Sequence, residues 1–357
     1  MGLPKERFDF ASDNTAAICP PAWAALTEAN ADAELSYGGD RWTRRVVARV
    51  REIFETDCEV FLIFNGTAAN ALALAHLCRS YHGVICHENA HSQTDECGAP
   101  EFFSGGAKLI PTPGVNGKLD LANIETAMQR YRDVHSPKPK VLSVTQATEL
   151  GTIYGRDEID RLCEFARQRS LFVHMDGARF ANAVAALDCP PKSITWEAGV
   201  DVLCFGGTKN GTAAGELVIV FNKELADEFD YRAKQGGQLA SKMRFLAAPW
   251  VGLLNDNVWI ANARHSNKCA QLLARKLAAA LGTEPVFPCE ASAVFLRLPE
   301  QLVAQLHDRG WRFYKFIEPD IYRLMCSWST SEEQIDELVA DVTKSLAAKR
   351  MADKYIA

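Results

Sequence analysis

At 357 residues, 48% hydrophobic and 24% charged, the chain has the composition of an ordinary globular protein, which excludes disordered and fibrous architectures and allows two or three domains. A net charge of -6 leaves no basic footprint for nucleic acid or anionic lipid, so the expected partner is a small molecule. No stretch of about 18 apolar residues marks a membrane span. The N-terminus carries Lys5, Glu6, Arg7 and Asp9 in place of a signal peptide's apolar run, and the eleven cysteines lack C-x2-C spacing or a Cys/His ladder for a metal. They read as free thiols in a reducing cytoplasm.

Taken in chain order, short apolar runs at 60–64, 83–86, 108–110, 141–144, 171–175, 201–205 and 216–221 read as buried strands. Between most of them lie stretches with helical spacing, at 68–77, 121–131 and 157–169. This alternation predicts an α/β fold with a mostly parallel central sheet. Beyond about 245 the pattern changes to one long helix at 261–281, strand-like runs at 293–298, 311–316 and 322–327, and a closing amphipathic helix with Ile335, Leu338, Val339, Val342 and Leu346 on its apolar side. We therefore expect a large α/β domain over 1–245, N-terminal segment included, and a small α+β domain over 246–357.

Three segments carry chemistry. Gly66 and Thr67 follow a buried strand and open an Ala/Leu-rich helix, where backbone amides, a hydroxyl and the helix dipole suit an anion; an ordinary turn with Thr67 as cap fits the same residues. Asp176 and Arg179 stand at the carboxyl end of the 171–175 strand, where open α/β sheets bind ligands. An acid there needs a cationic partner such as a pyridinium nitrogen, the alternative being that Asp176 caps a helix and Arg179 is solvated or pairs with it. Lys209 sits in a Gly-Gly-Thr-Lys-Asn-Gly turn after the 201–205 strand; crowded glycines leave room for a flat cofactor, while a lone lysine in a turn is ordinarily a surface residue.

Anion cradle, acid and amine at the ends of successive strands are the parts of a pyridoxal 5′-phosphate (PLP) site. The segments FNGTAAN (64–70), HMDGARF (174–180), CFGGTKNG (204–211) and QLASKMRFLAAPW (238–250) resemble the low-specificity threonine aldolases of the fold-type I PLP family, over nearly the whole chain. The resemblance implies that Gly66, Thr67 and Ala68 hold the phosphate, Asp176 the ring nitrogen, and Lys209 the aldehyde carbon as a Schiff base. It places His91, five residues before Glu96, against the cofactor ring, and Ser12, Arg179 and Arg323 on the substrate. Tyr37 falls near the site, although the run after it, Gly38-Gly39-Asp40, departs from the family's Gly-Asp-Asp. Either Lys242 or Arg244 would reach a phosphate across a subunit boundary in a homotetramer, a dimer of dimers. At 145–149, where many relatives have Glu-Asn-Thr-His-Asn, Thr148 replaces the histidine that would face the substrate side chain.

The implied reaction is retro-aldol cleavage of threonine, allo-threonine, phenylserine or a similar β-hydroxy-α-amino acid to glycine and an aldehyde. His91 is then the leading base for the β-hydroxyl, with Asp95 and Glu96 behind it, and Arg179 and Arg323 orient the carboxylate. Another PLP reaction, β-elimination or transamination, uses the same parts. A dinucleotide oxidoreductase would need a G-x-G-x-x-G after the first strands, which is absent. A noncatalytic scaffold would carry no bound chromophore.

Overall fold

This computed structural model describes residues 6–356; Lys5 and the rest of the first five residues lie outside the described residues. The seven apolar runs become β1 (Glu59–Ile63), β2 (His82–His87), β3 (Lys108–Thr112), β4 (Lys138–Thr145), β5 (Phe172–Gly177), β6 (Val202–Phe205) and β7 (Glu216–Val220). They form one sheet in the order β1-β7-β6-β5-β4-β2-β3. Pairing is parallel from β6 across to β3, and β7 runs antiparallel to both β6 and β1. With β7 reversed between them, β1 and β6 point the same way. The carboxyl ends of six strands therefore open along one edge, and the sheet is mostly parallel, as expected.

Both faces of this sheet are buried. Along β6, Leu203 and Phe205 enter one core and Val202 and Cys204 another. Period-two division of side chains between two covered faces is why these runs read as continuously apolar. Two helices before β1, Pro20–Ala29 and Arg41–Phe54, add to the expected elements, and with Arg244–Leu254 they cover the first face through Trp42, Phe54 and Trp250.

In the C-terminal part, β8 (Ala293–Arg297), β9 (Tyr314–Ile317) and β10 (Ile321–Met325) form a second, antiparallel sheet in the order β8-β10-β9. The strand expected at 311–316 begins only at Tyr314. Trp311 instead makes an isolated bridge with Arg7, stacks 5.8 Å from Phe10 in the second core and donates its indole N–H to Asp341 at 3.0 Å. The long helix runs Val258–Leu281 and belongs to both cores: Trp259 and Ala263 pack in the first, Cys269 to Leu277 in the second. Ile335, Leu338 and Val342 of the closing helix seal the second core. All eleven cysteines are free and Cys97 alone is exposed. No helix among the described residues is long and apolar enough to cross a membrane.

Candidate active site

β1 runs almost directly into the helix Gly66–Leu77, which Asn65 caps: its Oδ1 accepts the Ala68 N–H at 2.8 Å. Thr67 is therefore not the cap, and the Ala68 amide, expected to help hold a phosphate, already has a partner. The Gly66 and Thr67 amides have none among the described residues, and a Cβ on Gly66 would meet nothing within 4 Å. The helix thus turns two free donors and its positive end toward a cavity.

At the end of β5, Asp176 accepts the Ala178 N–H on Oδ1 and the Asn70 side-chain amide on Oδ2, both at 3.1 Å. The same Asn70 nitrogen donates to Glu96 Oε1 at 2.9 Å, and that oxygen lies 3.0 Å from His91 Nδ1. His91, Glu96, Asn70 and Asp176 thus form one hydrogen-bonded chain. The bond to Glu96 raises the His91 pKa above the ordinary imidazole value, and burial raises that of Glu96. Asp95 stays largely in solvent, 3.6 Å from His91 Nε2. His174 is buried between Ser143 Oγ and Cys204 Sγ at 2.9 and 3.3 Å; burial lowers its pKa to about 4, so it is a neutral packing group and no rival to His91.

Lys209 follows β6 in the short helical turn Thr208–Asn210. The Gly207 N–H and the Thr208 hydroxyl each donate to Glu216 at 2.6 Å, and burial pushes the pKa of this acid, at the start of β7, up to about 7. A Cβ on Gly206 would lie 2.4 Å from the Ala178 carbonyl oxygen, and one on Gly207 2.5 Å from the Trp250 indole. These glycines are required by the protein's own packing, and Gly206 also lines the cavity.

Arg179 is fixed by Asp13 through two bonds, Nε to Oδ2 at 2.7 Å and Nη2 to Oδ1 at 3.1 Å, with both side chains buried. Burial opposes both charges; their mutual attraction overrides it, holding Asp13 below and Arg179 above its usual value. Arg323 on β10 faces the same space, 4.6 Å over the Phe316 ring, with its Nε unpartnered.

Two adjoining compartments of about 240 and 340 Å³ share Asn14, His91 and Lys209. The first also holds Gly66, Thr67 and Asp176; the second holds Ser12, Arg179, Arg323 and Glu149. The amine and the imidazole therefore stand where the two compartments meet. Thr148 does not face the cleft: it is buried, with its hydroxyl 2.8 Å from that of Thr152, and its neighbour Glu149 lines the cleft instead. Tyr37, Lys242 and Arg244 lie outside their own chain's cleft. Tyr37 is exposed and donates its N–H to the Ser241 carbonyl at 3.2 Å, Lys242 is exposed, and Arg244 donates to the Ala29 carbonyl. Asp13, Asn65, Asn70, Glu149 and Glu216 escaped the sequence reading as working residues, although Asn65 and Asn70 stand inside FNGTAAN.

Residues 9–298 match the beta-eliminating lyase family. The chain belongs to this family. Within it, the chain is 55% identical to the low specificity L-threonine aldolase of a Pseudomonas species, over 95% of this chain and 98% of that one. It is 56% identical to the Pseudomonas aeruginosa enzyme of the same name over the same shares. The solved structure of Leishmania major threonine aldolase superposes with a TM-score of 0.90 at 28% identity, covering 96% of this chain and 99% of that one. The large mostly parallel sheet and small C-terminal sheet of this beta-eliminating lyase are the fold-type I arrangement.

Proposed function

We propose that this lyase binds PLP in the first compartment and, in the second, cleaves L-threonine, L-allo-threonine and related β-hydroxy-α-amino acids to glycine and an aldehyde. The residues present fit that cofactor: two unpartnered helix amides at Gly66 and Thr67 for the phosphate, a carboxylate at Asp176 for the ring nitrogen, and the Lys209 amine for the aldehyde carbon. Once bound, PLP supplies an electron sink for the pair released at Cα. The hydrogen bonds that Asp176 accepts from the Asn70 side-chain amide and the Ala178 N–H hold its carboxylate in place to pair with that ring nitrogen.

Arg179, immobilised by Asp13, and Arg323 seat the α-carboxylate, and Ser12 lines the same compartment. The observation that carries the reading is the position of His91. Its Nδ1 is held by Glu96, which assigns the proton to that nitrogen and leaves Nε2 able to accept one from the β-hydroxyl. The raised pKa makes it a stronger base than a free imidazole. Either Lys242 or Arg244, both away from their own cleft, serves a neighbouring subunit's phosphate in a homotetramer, Tyr37 stands near a substrate there, and the free thiols suit the cytoplasm. Product analysis tests the reaction: glycine and acetaldehyde in equal amounts from L-threonine support cleavage, whereas ammonia with a keto acid would replace it by β-elimination, and a keto acid without free ammonia by transamination.

A further inference from the structure

Every other carboxylate lining the cleft has a partner. Asp176 is held by Asn70 and Ala178, Glu216 by Gly207 and Thr208, and Asp95 lies near His91; behind the lining, Asp13 is committed to Arg179. Glu149 has neither a hydrogen bond nor an ion pair among the described residues, yet it is half-buried and lines the second compartment. Its backbone is firmly built. The Gly151 N–H closes a four-residue turn onto the Thr148 carbonyl at 3.0 Å, and the Thr148 N–H donates to the Thr152 carbonyl at 2.9 Å. Behind the turn, the Gln146 side chain brackets Tyr154, donating to its carbonyl at 2.9 Å and accepting its N–H at 3.0 Å. A rigid turn thus presents an unpaired carboxylate to the compartment that holds His91, Arg179 and Arg323, whose protonated forms its charge favours. With no direct partner in the chain, the carboxylate is left available to a ligand.

We propose that Glu149 determines side-chain selectivity: it offers an acceptor to a neutral, hydroxylated side chain and repels amino acids that carry a second negative charge. The proposal rests on the aldol-cleavage reading above. Asp13 already offsets the charge of Arg179, so Arg179 and Arg323 together leave one net positive charge for the α-carboxylate they seat, and a second carboxylate on the ligand would face Glu149. Juxtaposed like charges in a partly desolvated site discriminate strongly against the wrong ligand.

The test compares kcat and KM for L-threonine and L-threo-3-hydroxyaspartate, whose cleavage gives glycine and glyoxylate, in the wild-type holoenzyme, Glu149→Gln and Glu149→Asp. In Glu149→Gln the kcat/KM ratio of hydroxyaspartate over threonine should rise roughly 10-fold or more, mainly through KM, while Glu149→Asp keeps the wild-type preference. A ratio that stays within about threefold of wild type in Glu149→Gln would overturn the proposal. Without any variant, wild-type enzyme should bind L-aspartate at least about 10-fold more weakly than L-asparagine, followed by the cofactor's absorbance. Equal binding of the two would overturn it as well. Failure of the wild type to release aldehyde from threonine would remove the cleavage reading itself, a result distinct from unchanged selectivity in an active enzyme.

Discussion

Asn70 is the joint of the site, because one side-chain nitrogen serves two carboxylates, Glu96 at 2.9 Å and Asp176 at 3.1 Å. Asn70→Ala removes both bonds and leaves two buried acids facing each other without a donor between them. Hydrogen bonds to charged groups contribute about 1.5–3 kcal/mol each, so the gross loss is about 3–6 kcal/mol. Part is recovered, since cleft water can reach the vacated space and Glu96, whose pKa burial already raises, can take up a proton. We expect the apo form to lose about 2–4 kcal/mol of unfolding free energy, read from urea titrations by circular dichroism at constant m. Loss of the chain that orients His91 should also lower kcat/KM for L-threonine about 10- to 100-fold. An unchanged urea midpoint together with unchanged kcat/KM would refute the role given to this residue.

Two further predictions concern pH. In wild type, the His91 imidazole should titrate above the ordinary value of about 6.5 by NMR, and Glu96→Gln should bring it down. Because the folded value is raised, the stability this pair contributes is fully present below about pH 6.5 and is lost as pH rises through the folded pKa, so the stability gap between wild type and Glu96→Gln should narrow toward alkaline pH. Glu216 behaves likewise: its pKa of about 7 lies above the free value of 4.5, so the wild type should lose about 3 kcal/mol between pH 4.5 and 7 that Glu216→Gln does not lose. Parallel stability curves for wild type and Glu216→Gln would contradict the burial of this acid.

The sheet was legible because its strands are buried on both faces and so appear as unbroken apolar runs, and the main site residues because each follows such a run directly. The reversal of β7 was not, since Glu216–Val220 has the same apolar pattern in either direction. Trp311 misled the strand boundary because burial of its ring in the second core, rather than sheet pairing, governs its position. Among the site residues, those proposed to act on a ligand were visible as motif positions, Glu149 excepted, whereas those that hold other side chains were not. Nothing local ties Asp13 to Arg179 or Asn70 to Asp176, which lie 166 and 106 residues apart. Glu216 did leave a trace, an acid opening an otherwise apolar strand, which is costly unless it has donors waiting. That Glu149 rather than Thr148 lines the cleft was not legible, because adjacent residues in a turn point in different directions and spacing alone does not say which one faces it.

The account stands on Lys209 as the amine that carries the cofactor at the junction of the two compartments. The most direct measurement sets the absorbance spectrum and aldehyde release of purified wild type beside Lys209→Ala, with L-threonine and L-allo-threonine as substrates. The wild type should show the absorbance of a lysine-bound PLP and release acetaldehyde from substrate, and the variant should lose both. An unchanged cofactor spectrum and undiminished aldehyde release in Lys209→Ala would contradict it.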